Sequence, residues 1–176
     1  MPKGINIMPW PSNNNDQVID TKVESKSLKG TYINALILFS LDALLFNQGV
    51  IAGIVLLVVL FYFLPKLQFN KCIIYTCMAI AVFVTNYENN RLAKHRAAEL
   101  VTVIEQYKID NGIYPDNLDA LIPQYIESIP LAKYTFGFNK FHYFNIDNKP
   151  RFFYIDFPPF GRPFYNFTSK EWDYLD

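Results

Sequence analysis

Residues 72–112 read CIIYTCMAIAVFVTNYENNRLAKHRAAELVTVIEQYKIDNG, with no proline and with no glycine before the last position. This run predicts one continuous helix that ends at Gly112, because glycine is favoured in a left-handed C-cap. Residues 72–87 carry no charge and are apolar all round, which is typical of a helix in a membrane or a deep core. The same helix is therefore expected to continue from an apolar environment into a soluble domain.

The second half of this helix carries an apolar stripe along one side. The apolar side chains recur at helical spacing, and polar side chains occupy the opposite side. A one-sided stripe needs a partner surface, so we expect a second layer of structure to cover it. The stripe consists of Ala93, Ala97, Leu100, Val101, Ile104 and Tyr107, and the polar side of His95, Glu99, Thr102 and Gln106.

Upstream, the apolar residues 33–64 would measure about 48 Å as one helix, against a hydrocarbon core of about 30 Å. Asn47, Gln48 and Gly49 interrupt this region near its middle, which predicts a helical hairpin. A single long, tilted helix is the alternative. The predicted organisation is a flexible polar tail over 1–29, a membrane region over 30–87 with spans at about 32–46, 50–64 and 72–87, and a soluble domain over 88–176.

Asp42 lies about one turn before the predicted hairpin turn. A carboxylate at the centre of a bilayer costs about 2.5–3.5 kcal/mol even on lenient scales. Near a turn it would reach water at the interface, and this is the position that we predict. A proton or ion site is the less favoured alternative, because no second ionisable partner lies in the apolar segments.

The number of spans decides the predicted orientation. With three spans, five basic residues lie on the N-terminal side and three on the side of the soluble domain, so the N-terminus is cytoplasmic and the domain is outside. With two spans, both ends share one side, the count is six against two, and the domain is cytoplasmic. The sequence favours three spans in a bacterial inner membrane with a periplasmic domain, although the charge bias is larger for two.

Beyond Gly112, the sequence alternates between turn signals and short apolar runs. Asp116 and Asn117 predict the N-cap of a short helix that Pro123 ends. Residues 147–150 predict a hairpin-type turn between two strands. The class is α+β, a long helix packed on a small antiparallel sheet of three or four strands. The predicted strands cover residues 134–138, 141–146, 151–157 and 164–167.

Both faces of the middle strands carry Phe or Ile side chains, so one face is left over after the core is formed. Either the C-terminal tail, with residues 158–161 and Trp172, folds over that second face, or an exposed aromatic patch marks a partner surface. Arg162, on a proline-flanked loop, is suited to anchor a partner's carboxylate. The candidate partner-binding residues are Phe144, Phe153, Phe160, Arg162 and Trp172.

The sequence offers no recognisable catalytic chemistry. His95 and His142 are the only histidines, and neither has a cysteine or carboxylate at metal-ligand spacing, so no metal or cofactor is expected. Cys72 and Cys77 diverge around a helix and are not placed to bridge each other. A formal net charge of zero gives no field for nucleic acid. We therefore expect a non-enzymatic protein whose partners are the lipid bilayer and another protein.

Residues 91–130 contain the pattern A-x-x-L-x-x-x-I-x-x-Y-x-x-D-N-G-x-Y-P-x-x-L-x-x-L, which resembles the major pseudopilins of type II secretion. The resemblance implies a pilin-like fold, in which a membrane helix runs into a soluble helix packed on an antiparallel sheet. Unlike a pseudopilin, this chain shows no leader or processing site before the helix, so the resemblance implies the fold rather than assembly. The matching residues are Tyr107, Asp110, Asn111, Gly112, Tyr114, Pro115, Leu118 and Leu121.

The sequence leads to two expectations of function. The first is a membrane-anchored protein-binding protein, specifically an immunity protein that neutralises a secreted antibacterial toxin. The second is an accessory or structural pseudopilin-like subunit of a secretion or pilus-like machine. A binding domain without a catalytic set fits the first, and the G-x-Y-P turn after the long helix fits the second.

Overall fold

The structure, a computed structural model, describes residues 14–157 and 161–175. Its first part consists of three helical segments joined by short connections. Helix α1 and helix α2 each continue into π-helical turns, and helix α3 is the longest element. The segments are α1 (Asn14–Phe39, extended by Ser40–Phe46), α2 (Val50–Val58, extended by Val59–Phe63) and α3 (Phe69–Asn111).

A flexible polar tail was predicted over residues 1–29, but α1 begins at Asn14, so residues 14–29 are helical. The polar composition predicts a flexible tail here, but Gln, Lys and Glu, which occur in this segment, have favourable helix propensities. Residues 1–13 lie outside the described residues.

The predicted break between the first two apolar segments is confirmed. Asn47 and Gly49 both adopt left-handed backbone conformations, with φ of 52° and 74°, and the helix stops there. A Cβ added to Gly49 would lie 2.9 Å from the ring of Phe83 on α3, so the turn also approaches α3 closely. At the other end of α2, Phe63 stacks on Tyr75 of α3 with ring centroids 5.6 Å apart. Helix α2 therefore runs antiparallel to α3.

The prediction that Asp42 reaches water near the turn is wrong, because its side chain is fully buried. One carboxylate oxygen accepts a hydrogen bond from the Gly49 N–H (2.8 Å) and the other accepts one from the Ala52 N–H (2.7 Å). These N–H groups belong to the start of α2, which has no other intrahelical acceptors and carries a positive dipole end. Asp42 is thus the N-terminal cap of α2 from across the turn.

Helix α1 runs alongside α3 in the same direction. Ser27 and Leu28 of α1 line a cavity with Phe69 at the start of α3. Asn47, just after the extension of α1, accepts a hydrogen bond from Asn89 farther along α3. We call residues 25–89 the three-helix unit; its interior is filled by small side chains, and its outer surface is apolar. The interior residues are Ala35, Ala43, Ala52, Met78, Ala79 and Val82, and exposed apolar residues include Leu36, Ile54, Phe61, Ile73 and Ile80.

Two helices, Ser25–Leu45 and Phe69–Asn111, are long and apolar enough to cross a membrane, and Val50–Phe63 is a shorter apolar helix. The sheet domain, which we define as residues 90–157 and 161–175, begins where α3 leaves the three-helix unit. As predicted, α3 is continuous through this boundary and ends at Gly112, whose φ of 78° is left-handed and whose N–H donates to the Lys108 carbonyl at 2.8 Å. The predicted short helix is confirmed as the 3₁₀ helix Leu118–Leu121, capped by Asn117.

The sheet has four antiparallel strands in the order β1-β2-β3-β4. A two-residue turn joins β1 to β2, with Asp147 and Asn148 both at positive φ, so the predicted hairpin is confirmed. The β1–β2 pairing begins at Ile146 opposite Lys149. The strands are β1 (His142–Ile146), β2 (Lys149–Phe153), β3 (Pro163–Asn166) and β4 (Glu171–Tyr174).

Residues 134–138 do not form the predicted strand; the fourth strand is Glu171–Tyr174 instead. The alternation of aromatic residues at 134–138 arises in a loop that bonds to itself. The Ala132 N–H donates to the Asn139 carbonyl (2.7 Å), and the Asn139 side chain donates to the Thr135 carbonyl (2.7 Å). Such side-chain-to-backbone bonds satisfy the backbone locally and compete with strand pairing.

The stripe on α3 packs against one face of the sheet, which confirms the α+β class. Leu100 and Ile104 are buried in one cluster with Phe152 and Tyr165 of the sheet. Phe141 stacks on Phe152 with centroids 5.4 Å apart. Every predicted stripe residue is in this cluster, with Tyr107 at its margin, and the predicted polar side of the helix is exposed.

The G-x-Y-P turn links the end of α3 to the β1–β2 hairpin. The Tyr114 N–H donates to the Asn148 side chain at 3.1 Å, and the Tyr143 hydroxyl donates to the Pro115 carbonyl at 2.8 Å. The Tyr114 side chain is buried. The residues of this turn therefore hold helix and sheet together.

Candidate functional site

The second face of the sheet points away from α3. Because side chains alternate along a strand, the register places Phe144 beside Arg151, and Phe153 between His142 and Phe164. We call this surface the outer sheet face. Its members by this register are His142, Phe144, Ile146, Lys149, Arg151, Phe153, Phe164, Asn166, Glu171 and Asp173.

Aromatic rings form the centre of the outer sheet face. The His142 ring stacks on Phe153 at 4.8 Å between centroids, and Phe144 meets Phe153 edge-on at 6.2 Å. Phe144 is nevertheless 40% exposed and Ile146 63% exposed. Two of the five predicted partner-binding residues, Phe144 and Phe153, are thus brought together on an accessible surface.

Trp172 lies on the opposite face of the sheet. It pairs with Tyr165 in the β3–β4 ladder, so it points toward the core, and its ring meets those of Phe152, Tyr154 and Tyr165. Trp172 therefore does not fold over the second face, because residues 171–174 join the sheet as an edge strand rather than crossing it. Residues 158–160, which belong to the same alternative, lie outside the described residues.

Of the remaining two predicted residues, the structure describes Arg162, which directly precedes β3. The Arg162 carbonyl accepts a hydrogen bond from the Leu175 N–H at 3.1 Å, which holds this loop against the C-terminal residues. The Gly161 carbonyl accepts one from the Asp156 N–H at 2.7 Å. Phe160 lies outside the described residues.

A basic groove of about 760 Å³ borders the outer sheet face. Sequence reasoning missed it because its cations come from the end of α3, from β2 and from the β3–β4 turn. The Lys108 ammonium donates to the Tyr114 hydroxyl at 3.0 Å, and this bond raises the pKa of Lys108. No Asp or Glu occurs among the described residues that line the groove. Its cations are Lys108, Lys149, Arg151 and Lys170, and it shares Phe144 and Phe153 with the outer sheet face.

A polar cluster joins the three-helix unit to the sheet domain. The Asn47 side chain at the hairpin turn donates to the Asn90 side chain on α3 at 3.3 Å. Lys133, fully buried, donates from its ammonium to the same Asn90 oxygen and to the Asp156 carbonyl. Burial lowers the pKa of Lys133 to about 8, and the Asp156 carboxylate, 3.8 Å away, acts in the opposite direction. We call Asn47, Asn90, Lys133 and Asp156 the polar joint.

The geometry favours recognition by shape and charge. Over residues 14–157 and 161–175, no group of three or more His, Cys, Asp or Glu is placed to hold a metal ion. His95 pairs with Glu99 on an exposed helix side at 3.4 Å, and His142 belongs to the outer sheet face. Comparison with protein-family models, with curated proteins and with solved structures finds no match to this chain.

Proposed function

We propose that this chain is a non-catalytic, membrane-anchored protein that binds another protein through its outer sheet face. The observation that carries the proposal is an aromatic centre, Phe144 with Phe153, that no described segment covers. Protein interfaces are enriched in aromatic residues and Arg and depleted in Lys and Glu at their centres. The outer sheet face has this composition at Phe144, Arg151 and Phe153.

The basic groove indicates the chemistry of the partner. A partner segment that carries an apolar side chain and carboxylates would place its apolar side chain against Phe144 and its carboxylates near Lys149 and Lys170. Complementary charge contributes to the rate and register of association more than to affinity. The proposed partner is therefore a protein with an acidic, partly apolar surface.

The membrane anchorage rests on the helix directions. Since α1 and α3 are parallel and α2 is antiparallel to both, three crossings would leave the 64–68 connection on one side and the sheet domain on the other. The exterior of the three-helix unit is apolar, as a lipid-facing surface requires. We place the protein in a bacterial inner membrane with the sheet domain in the periplasm, following the five-to-three distribution of basic residues.

Within this class, an immunity protein that captures a secreted antibacterial toxin is the primary proposal. It requires only a stoichiometric binding surface held at the membrane where the toxin arrives. An accessory or structural subunit of a secretion machine is the second proposal. It is supported by the turn at Gly112, Tyr114 and Pro115, which carries the resemblance to pseudopilins and connects α3 to the β1–β2 hairpin.

Site-specific photocrosslinking tests the binding surface. A photoreactive phenylalanine analogue at Phe144, in the full chain in native membranes, is expected to give a crosslinked protein adduct. The same analogue at Ile109, exposed on α3, is the matched control. An adduct that Arg151→Glu removes would support the proposal, and its identity would separate a toxin from a secretion component. Equal background labelling at both positions would argue against the outer sheet face as a binding site.

A further inference from the structure

The loop 131–139 lies at the level where the three-helix unit ends. The Phe136 N–H donates to the Leu44 carbonyl at 2.8 Å, and the Tyr134 N–H donates to the Asn89 side chain at 3.2 Å. Leu44 belongs to the last apolar turn before the hairpin, and Asn89 follows the uncharged part of α3. The loop is therefore fastened to the end of the apolar helices that faces the sheet domain.

Three aromatic side chains of this loop point outward. Phe136 is 79% exposed, Tyr134 63% and Phe138 46%, and no described segment covers them. Ala132, Lys133 and Thr135 point inward and are buried. Exposed phenylalanine is unfavourable in water at roughly 25 cal/mol per Å² of apolar surface, so these rings gain from an apolar partner.

The loop is held rigidly in this shape. Its ends are joined through the Ala132 N–H and the Asn139 carbonyl, and the Thr135 hydroxyl donates to the Gly137 carbonyl at 2.7 Å. Phe138 takes a left-handed φ of 54°, which turns the chain back toward Asn139. With these polar groups bonded internally and the rings outside, the loop presents an apolar surface at little further cost in ordering.

The surroundings of Tyr134 match the chemistry of lipid headgroups. The Arg96 guanidinium donates to the Tyr134 hydroxyl at 2.6 Å and lies 4.8 Å from its ring centroid. Lys94 lies on the adjoining turn of α3, as does Arg91, which pairs with Glu88 at 2.9 Å. Tyrosine rings and basic residues concentrate at membrane–water interfaces, where the rings sit among headgroups and the cations meet phosphates.

A second aromatic and basic group lies at the other end of the three-helix unit. There the Lys66 ammonium lies 3.6 Å from the Tyr62 ring centroid, and Lys71 approaches Phe63. Along α3, Lys71 and Asn89 are separated by about 27 Å, close to the thickness of a hydrocarbon core. The loop thus lies where the second interface of a bilayer would be.

We propose that the loop 131–139 is a membrane-interface anchor that inserts Tyr134, Phe136 and Phe138 among the headgroups of a bilayer with anionic lipid. The anchor rests on the proposed membrane placement of the three-helix unit. It holds the sheet domain against the membrane surface at a second point besides α3. The outer sheet face is thereby kept at a fixed orientation to the bilayer.

Fluorescence quenching by brominated lipids tests the anchor in the full chain. The background carries Trp10→Phe and Trp172→Phe, and single tryptophans are introduced by Phe136→Trp and, independently, Tyr134→Trp. The vesicles contain phosphatidylglycerol and phosphatidylcholine brominated either near the headgroup or deep in the chain. Two further variants are controls. Ile80→Trp, exposed at the middle of the apolar part of α3, shows whether the three-helix unit is inserted in the bilayer. Ile109→Trp, exposed near the end of α3, gives the quenching of a tryptophan in water.

We expect Phe136→Trp to lose at least about twice as much emission as Ile109→Trp, and more with shallow than with deep bromines. Quenching at Ile80→Trp without quenching at Phe136→Trp and Tyr134→Trp would overturn the anchor and leave the membrane placement intact. Absence of quenching at Ile80→Trp as well would overturn both. Protection of Phe136→Trp by a protein partner in native membranes, with no lipid quenching, would show that the rings bind protein instead.

Discussion

Among single residues, Asp42 has the most unusual surroundings, because its carboxylate is buried inside an apolar helical unit. Burying a carboxyl group is costly unless it is hydrogen-bonded, and here the Gly49 and Ala52 N–H groups at the start of α2 donate to it. The sequence identified the residue and the nearby turn but not the bonds. They depend on the left-handed conformations of Asn47 and Gly49, which bring the start of α2 back onto Asp42.

Asp42→Ala should destabilise the protein by about 2–4 kcal/mol, because it leaves two buried N–H groups without acceptors. Asp42→Asn keeps one acceptor, so its stability should lie between that of Asp42→Ala and that of the wild type. Thermal unfolding of the full chain in detergent measures both. Glu99→Ala, which removes an exposed carboxylate, is the control. A melting temperature for Asp42→Ala equal to that of Glu99→Ala would show that the cap contributes nothing.

Lys133 predicts a pH dependence of stability. Its pKa is lowered from 10.5 to about 8 on folding, so between these values the unfolded chain binds more protons than the folded one. Stability therefore rises with pH across this window, by roughly 3 kcal/mol for one such group. The unfavourable contribution is fully present below the folded pKa and disappears as the pH approaches 10.5.

This rise is measured as the difference in free energy of unfolding between the wild type and Lys133→Met, from pH 7 to 10.5. The subtraction removes other titrations, including those of Tyr143 and Tyr154, whose pKa values burial raises. Lys140→Met, at an exposed lysine, should show no such difference. A flat difference curve for Lys133→Met would mean that the ammonium is as well solvated as in the unfolded chain.

At the scale of elements, the periodicity of α3 was the most informative part of the sequence. Its 3.6-residue stripe predicted which side faces the sheet, and its charge pattern predicted where the helix leaves the apolar region. Leu100→Asp should cost about 3–5 kcal/mol, because Leu100 is 2% exposed within the core. Ile109→Asp changes the same helix at a position that is 74% exposed and should be nearly neutral. Equal melting temperatures for the two variants would contradict the packing of the stripe.

Strands were harder to predict than helices, for a physical reason. Tyr134, Phe136 and Phe138 alternate as a strand does, but their spacing arises from a loop whose inward residues bond to its own backbone. Glu171–Tyr174 was missed because the segment has only four residues, two of them acidic, and its pairing with β3 is not evident from the sequence. Aromatic residues at every second position therefore do not distinguish a β-strand from a loop that exposes alternate side chains.

The same limitation applies to the candidate site. Phe144 and Phe153 were found because they lie on one face of a predictable hairpin. The sequence places Trp172 on that face because the pairing of residues 171–174 with β3 is not evident from the sequence. The basic groove was missed since Lys108 and Lys170 are 62 positions apart in the sequence and meet only through the fold.

At the scale of the whole molecule, the parallel arrangement of α1 and α3 predicts a topology. The connection at Lys66 and the sheet domain should lie on opposite sides of the membrane. In a background of Cys72→Ala and Cys77→Ser, single cysteines at Lys66 and at Glu99 decide this. A membrane-impermeant thiol reagent on spheroplasts of a bacterial host should label Glu99→Cys and spare Lys66→Cys until lysis.

Two other outcomes of the labelling are informative. Labelling of Lys66→Cys alone would keep the three crossings but place the sheet domain in the cytoplasm. Equal labelling of both variants in intact spheroplasts would contradict three crossings. Labelling of Asp119→Cys, a second exposed position in the sheet domain, should follow that of Glu99→Cys in every case.

The continuity of α3 has a mechanical consequence. From Asn90 to Asn111 the helix extends about 30 Å beyond the three-helix unit, with no proline or glycine to act as a hinge. If the part of α3 before Asn90 tilts by about 10°, the end of the helix at Asn111 therefore moves by about 5 Å, because the displacement is proportional to the length of the rigid segment. Since the β1–β2 hairpin is bonded to Tyr114 and Pro115 beside that end, the sheet travels with it. Force applied to the outer sheet face is transmitted directly to the apolar helices, and bending of the helices repositions the outer sheet face.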